Sequence, residues 1–180
     1  SLNSDGRLVQ LIEIIDQPGG ETLYLVMEYV GRNSVAVKMK KSKLSRRLPW
    51  DYFRDSVCGI QYWHEVANVV HRDIKPENLI VTKQGRIKIA DFGCSTIIQN
   101  STSTMSNTVG SNYFFSPEIW KGIEHTGKPS DVWALGVTLY YMLFTEYPFT
   151  AKANDYKNLY DKIMNEEPNY PNYDDKDAID

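Results

Sequence analysis

Four polar side chains, Asp73, Lys75, Asn78 and Asp91, have the types and spacing needed to do chemistry together. They belong to the run His71-Arg72-Asp73-Ile74-Lys75-Pro76-Glu77-Asn78 and to the triplet Asp91-Phe92-Gly93, which starts eighteen positions after Asp73. The chemistry they suit is transfer of a phosphoryl group from a magnesium-bound nucleotide, which demands charge placement and alignment more than covalent catalysis. A carboxylate must sit beside the attacking hydroxyl, a cation must touch the moving group, and two oxygen ligands must hold magnesium against the phosphates. Asp73 is the candidate carboxylate, Lys75 the candidate cation, and Asn78 and Asp91 the candidate metal ligands.

Positioning these groups requires particular elements. Spacings of two and three keep Asp73, Lys75 and Asn78 on one irregular loop. Residues 79–82, the turn 83–85 and residues 87–89 predict a short hairpin that returns Asp91 to the mouth of that loop. Trp50, Phe53, Val57, Ile60 and His64 recur at helical intervals, so an amphipathic helix opened by Pro49 and running to about Glu65 should deliver the chain to the loop. Residues 8–15 and 22–27 predict an antiparallel strand pair joined by a Pro-Gly turn. Residues 99–108 are polar and aperiodic and read as a mobile loop. The apolar run from Val132 to Phe144 suits a buried helix capped at Ser130 or Asp131, and is too short to span a bilayer.

Composition sets wide bounds. With 42% apolar residues, 180 residues can bury a substantial core. A net charge of −3 gives no general pull toward nucleic acid, so none is expected as a partner, and no membrane association is expected either. Cys58 and Cys94 form neither a disulfide framework nor a metal-ligand pattern, which points to a reducing setting: the cytoplasm, with the nucleus as the alternative. Residues 1–6 are polar and do not form a signal peptide. No repeat, low-complexity tract or linker divides the chain.

The octapeptide and the later triplet resemble the catalytic-loop and magnesium-binding signatures of eukaryotic protein kinases. Ser116-Pro117-Glu118 stands where that family usually has Ala-Pro-Glu, and Asp131-Val132-Trp133-Ala134-Leu135-Gly136 resembles the start of its central buried helix. Residues 23–30 resemble the last strand of its small lobe and the hinge. The resemblance covers essentially all of residues 1–180 and implies an α+β, protein-kinase-like fold. Residues 1–30 would supply the last small-lobe strands and the hinge, and residues 31–180 a truncated, mainly helical large lobe. It implies ATP and Mg2+ as cofactors, a protein substrate and an upstream regulator.

Residue by residue, the resemblance makes Asp73 the group that orients the substrate hydroxyl and accepts its proton, and Lys75 the cation on the moving phosphoryl group. Asn78 and Asp91 become magnesium ligands. Met27 limits the depth of the nucleotide pocket, the backbone of Glu28 and Val30 bonds adenine, and Ile80 forms an apolar floor. Arg72 stands where relatives often meet an activation-loop phosphate, while His71 and Phe92 join an apolar column continued by Leu11. Lys75 in its setting and Ser111 match the serine/threonine branch. Asn107 occupies the position of the activating phosphothreonine of many relatives, so that switch is expected to be absent, with Ser103, Thr104, Ser106 and Thr108 as substitutes. The run 106–110, together with residues 89–93, resembles the calcium/calmodulin-dependent protein kinase kinases and related kinases that act upstream of the energy-sensing kinase.

Other features depart from the family's pattern. The glycine-rich loop, the strand lysine and the helix glutamate of the small lobe are not in this sequence. Val35-Ala36-Val37-Lys38 mimics the lysine motif but follows the hinge, so it reads as a decoy on a surface helix. The cationic stretch from Lys38 to Arg47 reads as a solvated charged face, although a localisation signal or selection of acidic substrates would use the same residues. Glu118 pairs in the family with a later arginine that these residues do not supply; an unpaired buried carboxylate would cost about 3–5 kcal/mol. Cys94 reads as inert, Cys58 as packing, His64 and His125 as structural, and the acidic, tyrosine-bearing tail from Tyr170 onward as solvated. Two functions follow: ATP-dependent phosphorylation of serine or threonine on proteins, or an inactive kinase-like scaffold that binds partners. By themselves, these 180 residues are expected to transfer phosphate very weakly or not at all.

Overall fold

The computed structural model describes residues 6–17, 19–41, 47–98, 105 and 109–171. It opens with an antiparallel ribbon of β1 (Leu11–Asp16) and β2 (Leu23–Met27), in which Leu11 faces Met27 and Asp16 faces Leu23. The expected strand pair is therefore present, with one difference. Residues 7–9 leave the ribbon for β6: Leu8 bridges Ile89 and the Val9 N–H donates to the Ile89 carbonyl at 3.0 Å. Of the turn between the strands, Pro18 lies outside the described residues, while Gly19 takes the left-handed φ of +83° that glycine tolerates.

After the ribbon come β3 (Asn33–Ser34) and α1 (Val35–Lys41), so the lysine-motif mimic is helical, as the decoy reading expects. Next, α2 (Leu48–Tyr62) carries proline in its first turn, where a missing N–H costs nothing. Its buried face is not the one apolar counting selects. Tyr52, Asp55, Ser56, Gly59, Ile60 and Trp63 are buried, whereas Val57 is exposed and Trp50 and Phe53 are half-buried. The face turns because Asp55 is satisfied inside: Arg86 grips its carboxylate with two guanidinium nitrogens and the Ile87 N–H donates to it at 3.1 Å. Helical winding widens to a π-type turn over Trp63–Ala67 and stops at Asn68, which is left-handed at φ 52°.

The chain then forms β4 (Val69–Val70), the catalytic-type loop, and the hairpin of β5 (Leu79–Val81) and β6 (Ile87–Ile89), as expected. Strand β3 adds to β5, giving the order β3-β5-β6. Strand β7 (Thr96–Ile97) pairs with β4. Two short pieces, a 3-10 turn at Asn112–Phe114 and α3 (Pro117–Trp120), lead to α4 (Gly127–Phe144) and then α5 (Tyr156–Asn165). The α4 cap differs from expectation: Thr126 holds the cap position, and Ser130 and Asp131 lie within the helix. Pro129 has no N–H to bond and fits the first turn, so winding starts ahead of it.

Helix α2 lies between β6 and α4, and the core joins Tyr52 and Ile60 to Ile74, Leu79, Ile87, Ile89, Leu135 and Met142. Gly59 permits this approach, since a Cβ there would stand 2.8 Å from Ile89 Cδ1. A second cluster seats Leu159 and Ile163 of α5 against Phe149. The fold is of α+β type, with short strands interleaved with α1 and α2 up to Ile97 and, among the described residues, helices alone beyond it. Among the described residues no helix is long and apolar enough to cross a membrane.

Candidate active site

Asp131 organises the loop from beneath. Its side chain is 1% exposed, and both oxygens are used: Oδ1 accepts the Arg72 N–H, and Oδ2 accepts the His71 N–H and His64 Nε2–H, each at 2.8 Å. Two consecutive backbone amides aimed at one carboxylate fix the peptide planes just ahead of Asp73. Arg72 is left-handed there at φ 69°, an uncommon state for a residue with a Cβ that these bonds hold in place. Its guanidinium reaches Thr96 Oγ1 at 3.0 Å, tying the loop to β7.

The loop then presents a compact polar cluster. Asp73, 8% exposed, receives Lys75 Nζ at 2.7 Å and Asn78 Nδ2 at 3.1 Å on Oδ2, and Ser111 Oγ at 3.2 Å on Oδ1. Lys75 also donates to Ser111 Oγ at 2.9 Å. Ser111 comes close because Gly110 precedes it; a Cβ at Gly110 would stand 2.6 Å from the Arg72 carbonyl, and φ is +116°. Counting lone pairs, Oδ2 is filled and Oδ1 retains one acceptor site. Asn78 spends its amide hydrogens on Asp73 Oδ2 and the Asp73 carbonyl, leaving its own side-chain oxygen for another partner.

Asp91 is exposed and left-handed at φ 65°, with Oδ1 accepting the Gly93 N–H at 3.3 Å. It is placed by its neighbour: the Ala90 N–H donates to the Asn78 carbonyl at 2.9 Å, and the Ala90 carbonyl faces His71 Nε2 at 3.1 Å. Burial pushes the His71 pKa below its ordinary value despite the carboxylates of Asp131, Asp73 and Asp91. The ring is therefore neutral at pH 7, with its proton on Nε2 toward Ala90 and Nδ1 accepting the Asp73 N–H. Phe92 stacks on Trp63 with centroids 4.8 Å apart and meets the His71 ring edge-on. Leu11, expected in this column, is instead 48% exposed on β1, and Trp63 is the partner the sequence reading missed.

The expected nucleotide-facing residues occupy the end of β2, the segment after it and the middle strand of the three-stranded sheet. Met27 is half-buried opposite Leu11, and Ile80 is the half-buried residue between the buried Leu79 and Val81 on β5. Glu28 is tied by its N–H to the Gln10 carbonyl at 2.8 Å and by Oε1 to Lys88 Nζ and the Gln10 N–H. Among the described residues no backbone bond engages the Glu28 carbonyl or the Val30 N–H.

The whole-chain comparison decides the family. Residues 2–179 match the protein kinase domain model. The chain belongs to the protein kinase family. This kinase chain is similar to a probable serine/threonine-protein kinase of Dictyostelium discoideum, 41% identical over 176 residues, covering 97% of this chain and 25% of the relative. It is also similar to the calcium/calmodulin-dependent protein kinase kinase of Caenorhabditis elegans, 37% identical over 171 residues, covering 93% and 31%. To the serine/threonine-protein kinase GRIK1 of Arabidopsis thaliana it is 39% identical over 159 residues, covering 88% and 39%. The kinase chain thus spans between a quarter and two fifths of the length of these curated relatives. Use of ATP and magnesium is general to the family.

Several remaining expectations meet the geometry differently. Glu118 is half-buried and accepts Ser130 Oγ at 3.0 Å, with Ser116 bonded to the same hydroxyl, so it is not the unpaired buried carboxylate anticipated. Burial, followed by the carboxylates of Asp73 and Asp91, pushes the Cys94 thiol pKa up, in keeping with an inert cysteine. His64 is structural as expected, though as a bond to Asp131 that spacing alone did not reveal. Ser103, Thr104, Ser106, Asn107 and Thr108, on which the regulatory reading rests, lie outside the described residues.

Proposed function

We propose that this chain contributes the catalytic half of a kinase that transfers the γ-phosphoryl group of ATP to serine or threonine hydroxyls of a protein. The observation that carries the reading is the Asp73 cluster: a carboxylate with one acceptor site left on Oδ1, flanked by a lysine and a serine hydroxyl. The substrate hydroxyl donates to that Oδ1 site and passes its proton to Asp73 as its oxygen bonds to the γ-phosphorus. The bond from that phosphorus to the β–γ bridging oxygen breaks, and ADP leaves. Lys75, already within reach of the carboxylate, neutralises charge on the moving group.

The oxygen donors fit magnesium, a hard cation that prefers carboxylate and amide oxygens. Asn78 would offer its free side-chain oxygen and Asp91 its exposed carboxylate. Bound there, the ion would neutralise phosphate charge. At the other end, the free Glu28 carbonyl and Val30 N–H would bond adenine, with Met27 behind and Ile80 beneath. The division near residue 30 into small-lobe strands with hinge and large lobe belongs to the same proposal. So does likeness in substrate and regulation to the kinase kinases, which the identity to the C. elegans enzyme supports.

The test is magnesium-dependent transfer from radiolabelled ATP by the protein as its source makes it. Asp73→Asn should lower transfer about 10²–10⁴-fold, compared at a temperature where the variant remains folded because its N–H2 would face the donors of Lys75, Asn78 or Ser111, and the label should appear on serine and threonine. If the wild-type protein binds no nucleotide with or without magnesium, the scaffold alternative replaces this reading.

A further inference from the structure

A cavity of about 430 Å³ lies between the segment after β2, helix α1 and the β5–β6 turn; none of the residues assigned above lines it, although Tyr29 and Gly31 flank Val30 and Val81 follows Ile80. Arg32, Lys38 and Lys83 contribute to its walls, and no carboxylate does. Asp55 is engaged by Arg86 and the Ile87 N–H, and Glu28 by Lys88 and the Gln10 N–H. Lys38 is not the solvated surface lysine that the sequence suggests. It is half-buried, and its ammonium donates to the hydroxyl of the fully buried Tyr52 at 2.9 Å, a neutral partner. Its position is thus set, and among the described residues no carboxylate lies within ion-pair distance of its ammonium.

Sequence supplies an independent observation. Residues 29–50 hold seven lysines and arginines and no aspartate or glutamate, in a chain whose net charge is −3. Shape adds a third. Gly31 lets the strand after the hinge approach β5, since a Cβ would stand 2.5 Å from the Val81 carbonyl, and this closes one wall. Tyr29 stands at the rim 71% exposed, an aromatic of the kind that anchors protein contacts. A volume in the range of ligand pockets, cationic on facing walls with an aromatic rim, suits a short extended segment better than a single small anion.

We propose that this cleft docks an acidic, extended segment of a protein partner, with carboxylates against Arg32, Lys38 and Lys83 and an apolar or aromatic residue on Tyr29. The interaction is separate from phosphoryl transfer, because none of Asp73, Lys75, Asn78 or Asp91 lines the cleft. It can therefore fail while the kinase reading stands, and the reverse.

The probe is a fluorescein-labelled nonapeptide of aspartate and glutamate with one central phenylalanine, titrated without nucleotide and followed by polarisation. Saturable binding is expected, weakening as salt rises. The double charge reversal of Arg32→Glu with Lys83→Glu, both exposed residues, should weaken it at least about tenfold, while Lys121→Glu with Lys157→Glu on distant exposed surface should leave it within about twofold. Tyr29→Ala should weaken the phenylalanine peptide more than one carrying alanine at its centre. Absence of saturable binding, equal loss in both double variants, or equal competition by inorganic phosphate at the peptide's own concentration would overturn the proposal.

Discussion

The loop from His71 to Asn78 and the ribbon of β1 and β2 are both short, and they are held in opposite ways. In the loop His71, Asp73, Ile74, Pro76 and Asn78 are buried, and a buried carboxylate collects two of its amides. In the ribbon every residue of β1 is exposed, including Ile12 at 65% and Ile14 at 55%. A two-stranded ribbon is marginal by itself, and this one is moored to the rest through residues 7–9 on β6 and through Glu28 on Lys88. Asp73, Lys75 and Asn78 thus sit on the buried loop, whereas Met27 and Glu28, proposed to face adenine, sit at the end of the ribbon with fewer anchors. Rigidity is where alignment matters most, since misplacement of reacting groups by an ångström is costly.

The largest effect on the loop is expected from Asp131→Asn. The substitution keeps the shape but turns an N–H2 toward backbone amides that need an acceptor, and it removes the charge opposite His64. Loss of stability of about 3–5 kcal/mol is expected from denaturant unfolding. Hydrogen exchange should show the amides of His71 and Arg72 losing protection before those of β5 and β6. If the loop amides and those of both strands lose protection together, Asp131 supports the core at large and the loop has no anchor of its own.

A second substitution separates the core from the ribbon by pH. Burial raises the pKa of Asp55, but the Arg86 fork and the Ile87 N–H outweigh it and hold the carboxyl below the ordinary range. A depressed folded pKa contributes stability that is complete above the unfolded value, about 4, and that is lost as pH falls through the folded one. Asp55→Asn should therefore flatten the decline of stability below about pH 4 and cost about 2–3 kcal/mol at pH 7. An unchanged acid limb would show that other carboxylates govern it.

How far the sequence could be read follows from the same contrast. The β5–β6 hairpin, the helix into the loop and the grouping of Asp73, Lys75 and Asn78 were legible because short-range spacing dictates them. Asp131 as an anchor was not, because its partners lie about 60 residues earlier and a polar residue near a helix start reads first as a cap. The buried face of α2 was misread for a related reason: Asp55 and Ser56 point inward, and counting apolar residues cannot see a carboxylate whose partners arrive from another hairpin. Trp63 escaped notice because the π-type turn alters the helical phase where it begins. Ser111 reads from the sequence only as a mark of the serine/threonine branch, and the turn at Gly110 is what brings it to Asp73.

The smallest expected effect falls on the ribbon's side anchor. Glu28 is lowered in pKa: desolvation raises it, and the Lys88 ammonium and Gln10 N–H more than reverse this. Its side chain is 25% exposed, so water and salt screen the pair. Glu28→Gln keeps a carbonyl oxygen for the Gln10 N–H and loses only the charge facing Lys88. A stability change of no more than about 1 kcal/mol is expected, shrinking further at high salt and absent below the acid limb where Glu28 is protonated. The informative readout is local. Exchange at the Glu28 amide, which donates to the Gln10 carbonyl, should quicken while the amides of His71 and Arg72 stay protected. If the loop amides quickened as well, the ribbon and the loop would form one cooperative unit, and the contrast between anchored and tethered parts would be one of exposure alone.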